Sequence, residues 1–214
     1  MKIEIKTERL LLRPFRIEDL AAVHEYASDI ENTRYMMYLP NETLDDTQNF
    51  LHTAHEEWKK DRPAFYEFAV TLNNRLIGAV SVYLNENRSE GELGWIINKR
   101  YWGNGYATEA ALYVKKFALN SLKVMKLVAH CDVRNTASSN VMKKIGLSLE
   151  RDDGIRVYKH TAEVAGELMY SLQPRCQVET LCPIGDSILS KHQNESSGIA
   201  KEIKNGKFDL QIRT

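Results

Sequence analysis

From the N-terminus to Leu172 the hydrophobic positions switch repeatedly between a two-residue and a helical spacing, and turn residues mark most of the switches. Arg9 to Phe15 reads as a strand closed by Pro14, which has no N–H to offer a continuing ladder. Asp19 to Asp29 reads as a helix with Leu20, Val23, Tyr26 and Ala27 on one stripe, and Arg34 to Pro40 as an aromatic, methionine-rich connection. Thr43 suits the N-cap of a second helix, with Asp45 and Asp46 at its positive end, Phe50, Leu51, Ala54 and Trp58 on its buried face, and Pro63 as its end. Tyr66 to Leu72 and Leu76 to Leu84 form a hairpin across Asn73-Asn74, and Gly91 to Ile97 extends it to a meander. WGNGYA (102–107) then introduces an amphipathic helix over Thr108 to Leu122. A strand (Lys126 to Val133), a helix (Thr136 to Ile145, stopped by Gly146) and a closing hairpin (Arg156 to His160 with Glu167 to Leu172) complete an α/β chain with a mixed sheet. Past Leu172 the pattern weakens. Residues 173–214 carry Pro174, Pro183 and a polar QNESSG stretch, with short helical (Ile199 to Ile203) and extended (Phe208 to Ile212) possibilities. Residues 1–172 are therefore expected to form one domain and 173–214 a C-terminal extension.

At 214 residues and 43% hydrophobic content the chain can bury a core without staples or metals. Lysine plus arginine and aspartate plus glutamate each total 29, so no global field draws the protein to nucleic acid or to an anionic membrane. Three cysteines, Cys131, Cys176 and Cys182, show no metal-binding spacing, and their odd number fits free thiols in a reducing compartment. The N-terminal MKIEIKTERLLLRPF has no uninterrupted apolar stretch, and no run approaches the roughly 18 residues of a spanning helix. A cytoplasmic location is expected.

The order strand, glycine turn, helix at WGNGYAT presents free backbone N–H groups at the positive end of a helix dipole, a ready site for phosphate oxygens. A P-loop would need a Lys-Ser or Lys-Thr pair after the second glycine, and a dinucleotide fingerprint would open an early parallel unit; neither holds here. An ordinary tight turn is the competing reading. His130, Cys131 and Asp132 are consecutive in a strand, so their side chains alternate in direction and cannot converge on one metal. Cys131 reads as a small buried hydrophobe.

Three segments together, TERLLLRPF, GELGWIINKRYWGNGYATEA and NTASSNVMKKIGL, resemble the GNAT superfamily of acetyl-CoA-dependent N-acetyltransferases, over about residues 7–172. Within it they look like the subgroup containing the ribosomal-protein N-terminal alanine acetyltransferases. The resemblance implies a mostly antiparallel central sheet with strands splayed at the acetyl-CoA site. The family's Gln/Arg-x-x-Gly-x-Gly/Ala motif falls on Trp102 to Ala107: Gly105 and Ala107 match, while Trp102 departs from Gln or Arg. By the same resemblance Trp95, Ile96 and Ile97 hold pantetheine, with Ile96 or Ile97 supplying the oxyanion donor. Trp102, Gly103, Asn104, Gly105, Tyr106, Ala107 and Thr108 cradle the pyrophosphate.

Glu92 takes the place of the family's catalytic glutamate, acting directly or through water, although a glutamate here could equally be the solvated face of a strand. Asn135 and Ser138 match an Asn-x-x-Ser pattern in which asparagine contacts the cofactor and serine protonates the leaving sulfur. The same two residues suit plain helix capping. The implied activity is acetyl transfer from acetyl-CoA to a primary amine by direct attack, without metal. The acceptor is a protein N-terminal α-amino group or a small amine, and Asp29, Glu31, Glu92 and Asp152 are scattered acidic groups suited to a cation. The chain would work as a monomer or homodimer. The alternative is a non-catalytic acyl-CoA-binding sensor or interaction module with the same fold.

Overall fold

The computed structural model describes residues 3–172. The expectations for 173–214, with Cys176 and Cys182, lie outside the described residues. Eight strands form one sheet: β1 (Ile5–Lys6), β2 (Leu11–Pro14), β3 (Phe65–Leu72), β4 (Arg75–Leu84), β5 (Glu90–Ile97), β6 (Lys126–Asp132), β7 (Ser148–Val157) and β8 (Val164–Leu172). They lie in the order β1-β2-β3-β4-β5-β6-β8-β7, and every neighbouring pair is antiparallel except β5 and β6. Five α-helices accompany them, α1 (Leu20–Ala27), α2 (Ile30–Thr33), α3 (Leu44–Glu57), α4 (Tyr106–Asn120) and α5 (Thr136–Lys144), with short 3-10 turns at Ile17–Asp19 and Lys99–Tyr101.

Period-two alternation divides the sheet residues between two cores. Phe68, Val80, Val82, Leu93 and Leu127 pack with Ala111, Val114 and Phe117 of α4 and Met142 of α5. On the other face Ala69, Leu76 and Ala79 pack with Val23 and Tyr26 of α1 and Leu51 and Ala54 of α3. Local signals behave as the sequence predicts. Thr43 accepts from the Asp46 N–H while Asp46 accepts from the Thr43 N–H, closing a capping box. Asn73 and Asn74 take φ of 48° and 63°, the left-handed pair that a two-residue hairpin requires.

Three expectations change. α3 ends at Glu57, six residues before Pro63, and its C-cap Trp58 packs edge-on against Tyr66 and Phe68. α2 was hidden in four residues, too few for a period. The closing hairpin is far longer than Arg156 to His160: β7 begins at Ser148, and its register shifts between Leu149 and Arg151 and between Arg151 and Gly154 hide the alternation. Among the described residues no helix is long and apolar enough to cross a membrane.

Candidate active site

The parallel pair is short. β5 meets β6 only at Glu90↔Lys126, Gly91↔Leu127 and Glu92↔Val128, while β5 stays on β4 as far as Ile97 and β6 stays on β8 as far as Asp132. Beyond Glu92 the sheet therefore parts into a V. The bonds Asn85 N–H to Glu90 O and Asn98 N–H to Ile77 O set the alternation of β5 against β4. Glu92, Gly94 and Ile96 turn their main-chain groups to β4; Leu93, Trp95 and Ile97 turn theirs into the V. Of the two candidate oxyanion donors, Ile97 N–H faces the opening and Ile96 N–H does not, because its partner is Ala79. The Ile97 carbonyl is occupied by Trp102 Nε1–H at 2.7 Å.

That bond explains the unusual Trp102. Its indole ties the turn back to β5 and is not free to reach outward as a donor. Gly103 and Gly105 both have φ of +79°, and Gly105 is the N-cap of α4. The first intrahelical bond is Glu109 N–H to Gly105 O. The N–H groups of Gly103, Asn104, Gly105, Tyr106, Ala107 and Thr108 have no acceptor among the described residues. A Cβ on Gly103 would meet nothing within 4 Å, so the turn is open to a bulky anion. These residues fit a coenzyme pyrophosphate.

The TERL segment braces this turn. Glu109 accepts from Thr7 Oγ1 (2.6 Å), Arg9 N–H (2.8 Å) and Arg9 Nε (2.7 Å). The Arg9 guanidinium also donates to Asn104 O at 3.1 Å and lies 4.6 Å from the Tyr106 ring centre. An open depression of about 310 Å³ runs beside Gly105, lined by Arg9, Thr108 and Tyr113, with Lys144 reaching in from α5.

Asn135 is the N-cap of α5, its Oδ1 accepting from the Ser138 N–H at 3.1 Å, so the capping role is filled. Ser138 Oγ has no hydrogen-bond partner among the described residues. Asp132, just before, is fully buried, and its carboxylate accepts from Arg134 and from Tyr158 Oη at 2.6 Å. Cys131 is buried and free, and burial pushes its thiol up to about 11, which removes it as a nucleophile at neutral pH. Among the described residues no group of three or more His, Cys, Asp or Glu could hold a metal ion.

Glu92 stands at the apex of the V, directly opposite Tyr83 on β4. Its bond to His130, and a buried carboxyl bonded to Tyr83, were not legible in the sequence. His130 Nδ1 lies 2.9 Å from Glu92 Oε1. Glu67 on β3 faces Ser81, which faces Gly94, and accepts from Tyr83 Oη at 2.5 Å. Burial pushes the Glu67 carboxyl up to about 7 against the opposing bonds from Tyr83 and Ser81. Asp29 and Glu31 share the single Lys99 Nζ at 2.7 and 2.8 Å, which offsets one of their two negative charges, so they are not both the free anions that the sequence suggests.

The Acetyltransferase (GNAT) domain family matches residues 9–148. The chain is 32% identical over 150 residues to the uncharacterized N-acetyltransferase YnaD of Bacillus subtilis, covering 69% of this chain and 84% of YnaD. It is 29% identical over 140 residues to the spermidine N(1)-acetyltransferase of Escherichia coli K12, covering 65% of this chain and 73% of that one. The solved GNAT-family acetyltransferase from Bacillus anthracis superposes with a TM-score of 0.66 at 32% identity, covering 80% of this chain and 98% of the other. With the splayed parallel pair and the open glycine turn, these matches establish that the chain belongs to the GNAT family and is an acetyl-CoA-dependent N-acetyltransferase.

Proposed function

We propose that the chain acetylates a small primary amine that arrives as a cation, with polyamines the first class to test and protein N-terminal α-amino groups the second. The observation that carries this is the position of Glu92: it is the last residue of β5 that pairs with β6, at the point where the V opens. In this reading the pyrophosphate rests on the amides of residues 103–108, and pantetheine runs along the V past Trp95 and Ile97 toward Glu92. A main-chain N–H on the V side of β5 receives the developing oxyanion. Glu92 draws the ammonium form of the acceptor and drives removal of its proton, and Ser138 Oγ, unencumbered at the first turn of α5, protonates the departing sulfur. Asn135 holds the α5 terminus beside the coenzyme. Similarity to a spermidine N(1)-acetyltransferase supports the choice of polyamines. The free, buried Cys131 suits a reducing cytoplasm. Residues 1–172 supply all of these groups, so we assign catalysis to them and leave the 173–214 extension outside the reaction.

The test is thiol release from acetyl-CoA against spermidine, peptides with free N-termini, amino acids and aminoglycosides. One acceptor class is expected to turn over well above hydrolysis. Ser138→Ala should lower kcat about 10- to 100-fold with coenzyme affinity unchanged. Coenzyme binding without thiol release for any of these amines would overturn the choice of acceptor.

A further inference from the structure

The carboxylate at the apex of the V is already bonded. His130 Nδ1 and Glu92 Oε1 are 2.9 Å apart, across the point at which β5 leaves β6. A carboxylate only accepts, so this bond puts the imidazole proton on Nδ1. The neutral ring then carries its lone pair on Nε2, which has no hydrogen-bond partner among the described residues. Both side chains reach solvent, His130 at 24% exposure and Glu92 at 47%. The next residue on this face of β5 is Gly94, where an added Cβ would meet only Ser81 Oγ, at 2.8 Å. Residue 94 itself thus puts no side chain beside the pair, and Ser81 Oγ occupies the space that a Cβ would take.

We infer that His130 Nε2 is the atom that takes the proton from the acceptor ammonium, while Glu92 stays ionised and holds the ring in that tautomer. This inference rests on the acetyl-transfer reading of the same cleft. An ammonium group titrates near 10.4, a carboxyl near 4.3 and an imidazole near 6.5, so direct transfer to a carboxylate is about six pKa units uphill and transfer to imidazole under about four. The charged groups around the ring favour its use. Burial disfavours the imidazolium, but the Glu92 hydrogen bond and charge, with a contribution from Glu167 on β8, hold His130 above its ordinary value. Arg156 on β7 opposes this, and its own guanidinium is bound to Glu167 at 3.0 Å.

The step balances. One N–H bond of the ammonium breaks, its electron pair stays on nitrogen and the proton moves to Nε2. The nitrogen pair attacks the thioester carbonyl carbon; the C–N bond forms and the C–S bond breaks with its pair on sulfur. Ser138 protonates the sulfur and is reprotonated, through water, by the second proton that nitrogen sheds. His130 releases its proton to solvent. Glu92 is a positioning residue in this scheme, and His130 is the base.

His130→Gln and Glu92→Gln in the full chain test it, with kcat followed from pH 6 to 10.5 on the amine that turns over best. At pH 7 His130→Gln is expected to lose about 100-fold and to recover as pH approaches the amine's own pKa, because the substrate then arrives neutral. A merely structural role would not recover. Glu92→Gln is expected to lose less and to move the acid limb to lower pH, since burial then acts on the ring without its carboxylate. Independently of activity, the ¹⁵N shifts of His130 in the parent at pH 8 should report a proton on Nδ1; a proton on Nε2 overturns the inference. So does a His130→Gln variant that keeps the parent kcat and acid limb. If Glu92→Gln alone is crippled, Glu92 is the direct base and only this inference fails. If the parent acetylates no amine, the acetyl-transfer reading for these acceptors fails with it.

Discussion

Asp132→Asn is expected to lose about 3 kcal/mol of stability at pH 7 in urea unfolding, the lower end of the cost of breaking a buried ion pair. The carboxylate at the end of β6 is fully buried and accepts four bonds: Arg134 Nη2 (2.7 Å), Arg134 Nε (2.9 Å), the Arg134 N–H (2.8 Å) and Tyr158 Oη (2.6 Å). An amide keeps one acceptor oxygen and points N–H donors at the other donors. Arg134 is half-exposed and can turn to water, which limits the cost; Tyr158 is buried and cannot. The pH dependence has a definite sign. Burial alone would raise the Asp132 pKa, but the bonds from Arg134 and Tyr158 reverse this and hold it far below the ordinary carboxylate range. The stability it contributes is therefore present above the unfolded pKa, near 3.9, and is lost as pH falls from there toward the folded value. The gap between parent and variant should narrow from about pH 5 to pH 3. A gap of unchanged size at pH 3 would mean that shape, not charge, sets the cost. The Asn135 N–H at the start of α5 bonds to the Asp132 main-chain carbonyl at 2.9 Å, a bond that the side-chain substitution leaves in place.

Gly105→Asp should leave the protein folded and raise the coenzyme dissociation constant on the order of 1000-fold. Aspartate is among the residues that tolerate φ near +79°, at a cost of about 1 kcal/mol. An added Cβ meets only Arg9 Nη2, at 3.7 Å, so there is room for the side chain. Its carboxylate, however, would share the cradle with the pyrophosphate. Two unit charges about 4 Å apart at an effective dielectric near 20 repel by about 4 kcal/mol, which is the 1000-fold loss. Arg9 relieves little of this, being already held by Glu109. Gly105→Asn isolates the charge, since asparagine has the same size and the same conformational tolerance. Calorimetry should show Asn binding coenzyme far more tightly than Asp. Equal losses would mean that the turn's shape, not its potential, selects the ligand.

Both sites differ in how much of them the sequence discloses. The glycine turn, the Thr43 N-cap and the Asn73-Asn74 hairpin depend on neighbours within a few residues, so spacing alone predicts them. The core stripes of α1 and α4 follow from helical period for the same reason. β7 escapes because most of SLERDDGIRV is exposed and its register shifts break the alternation that identifies a strand. The His130–Glu92 bond joins residues 38 apart in sequence, and its existence depends on the parallel register that the α4 crossover imposes. Lys99 on Asp29 and Glu31, and Tyr158 on Asp132, are hidden in the same way. Charges look free in a sequence when their partners are brought in by topology.

The V between β5 and β6 is lined on its β5 side by the peptide groups of Leu93, Trp95 and Ile97, and the phosphate end is lined by the amides of residues 103–108. Every amino acid except proline carries such a group, so substitution there seldom deletes a contact. In the proposed reading the amine end is built from side chains such as Glu92 and His130, where each replacement alters charge or shape. The molecule is thus divided into a donor half that drift cannot easily erase and an acceptor half that a few changes can redirect. A scaffold of this kind can acquire new amines while its relatives grow dissimilar, without rebuilding the half that carries the acetyl group.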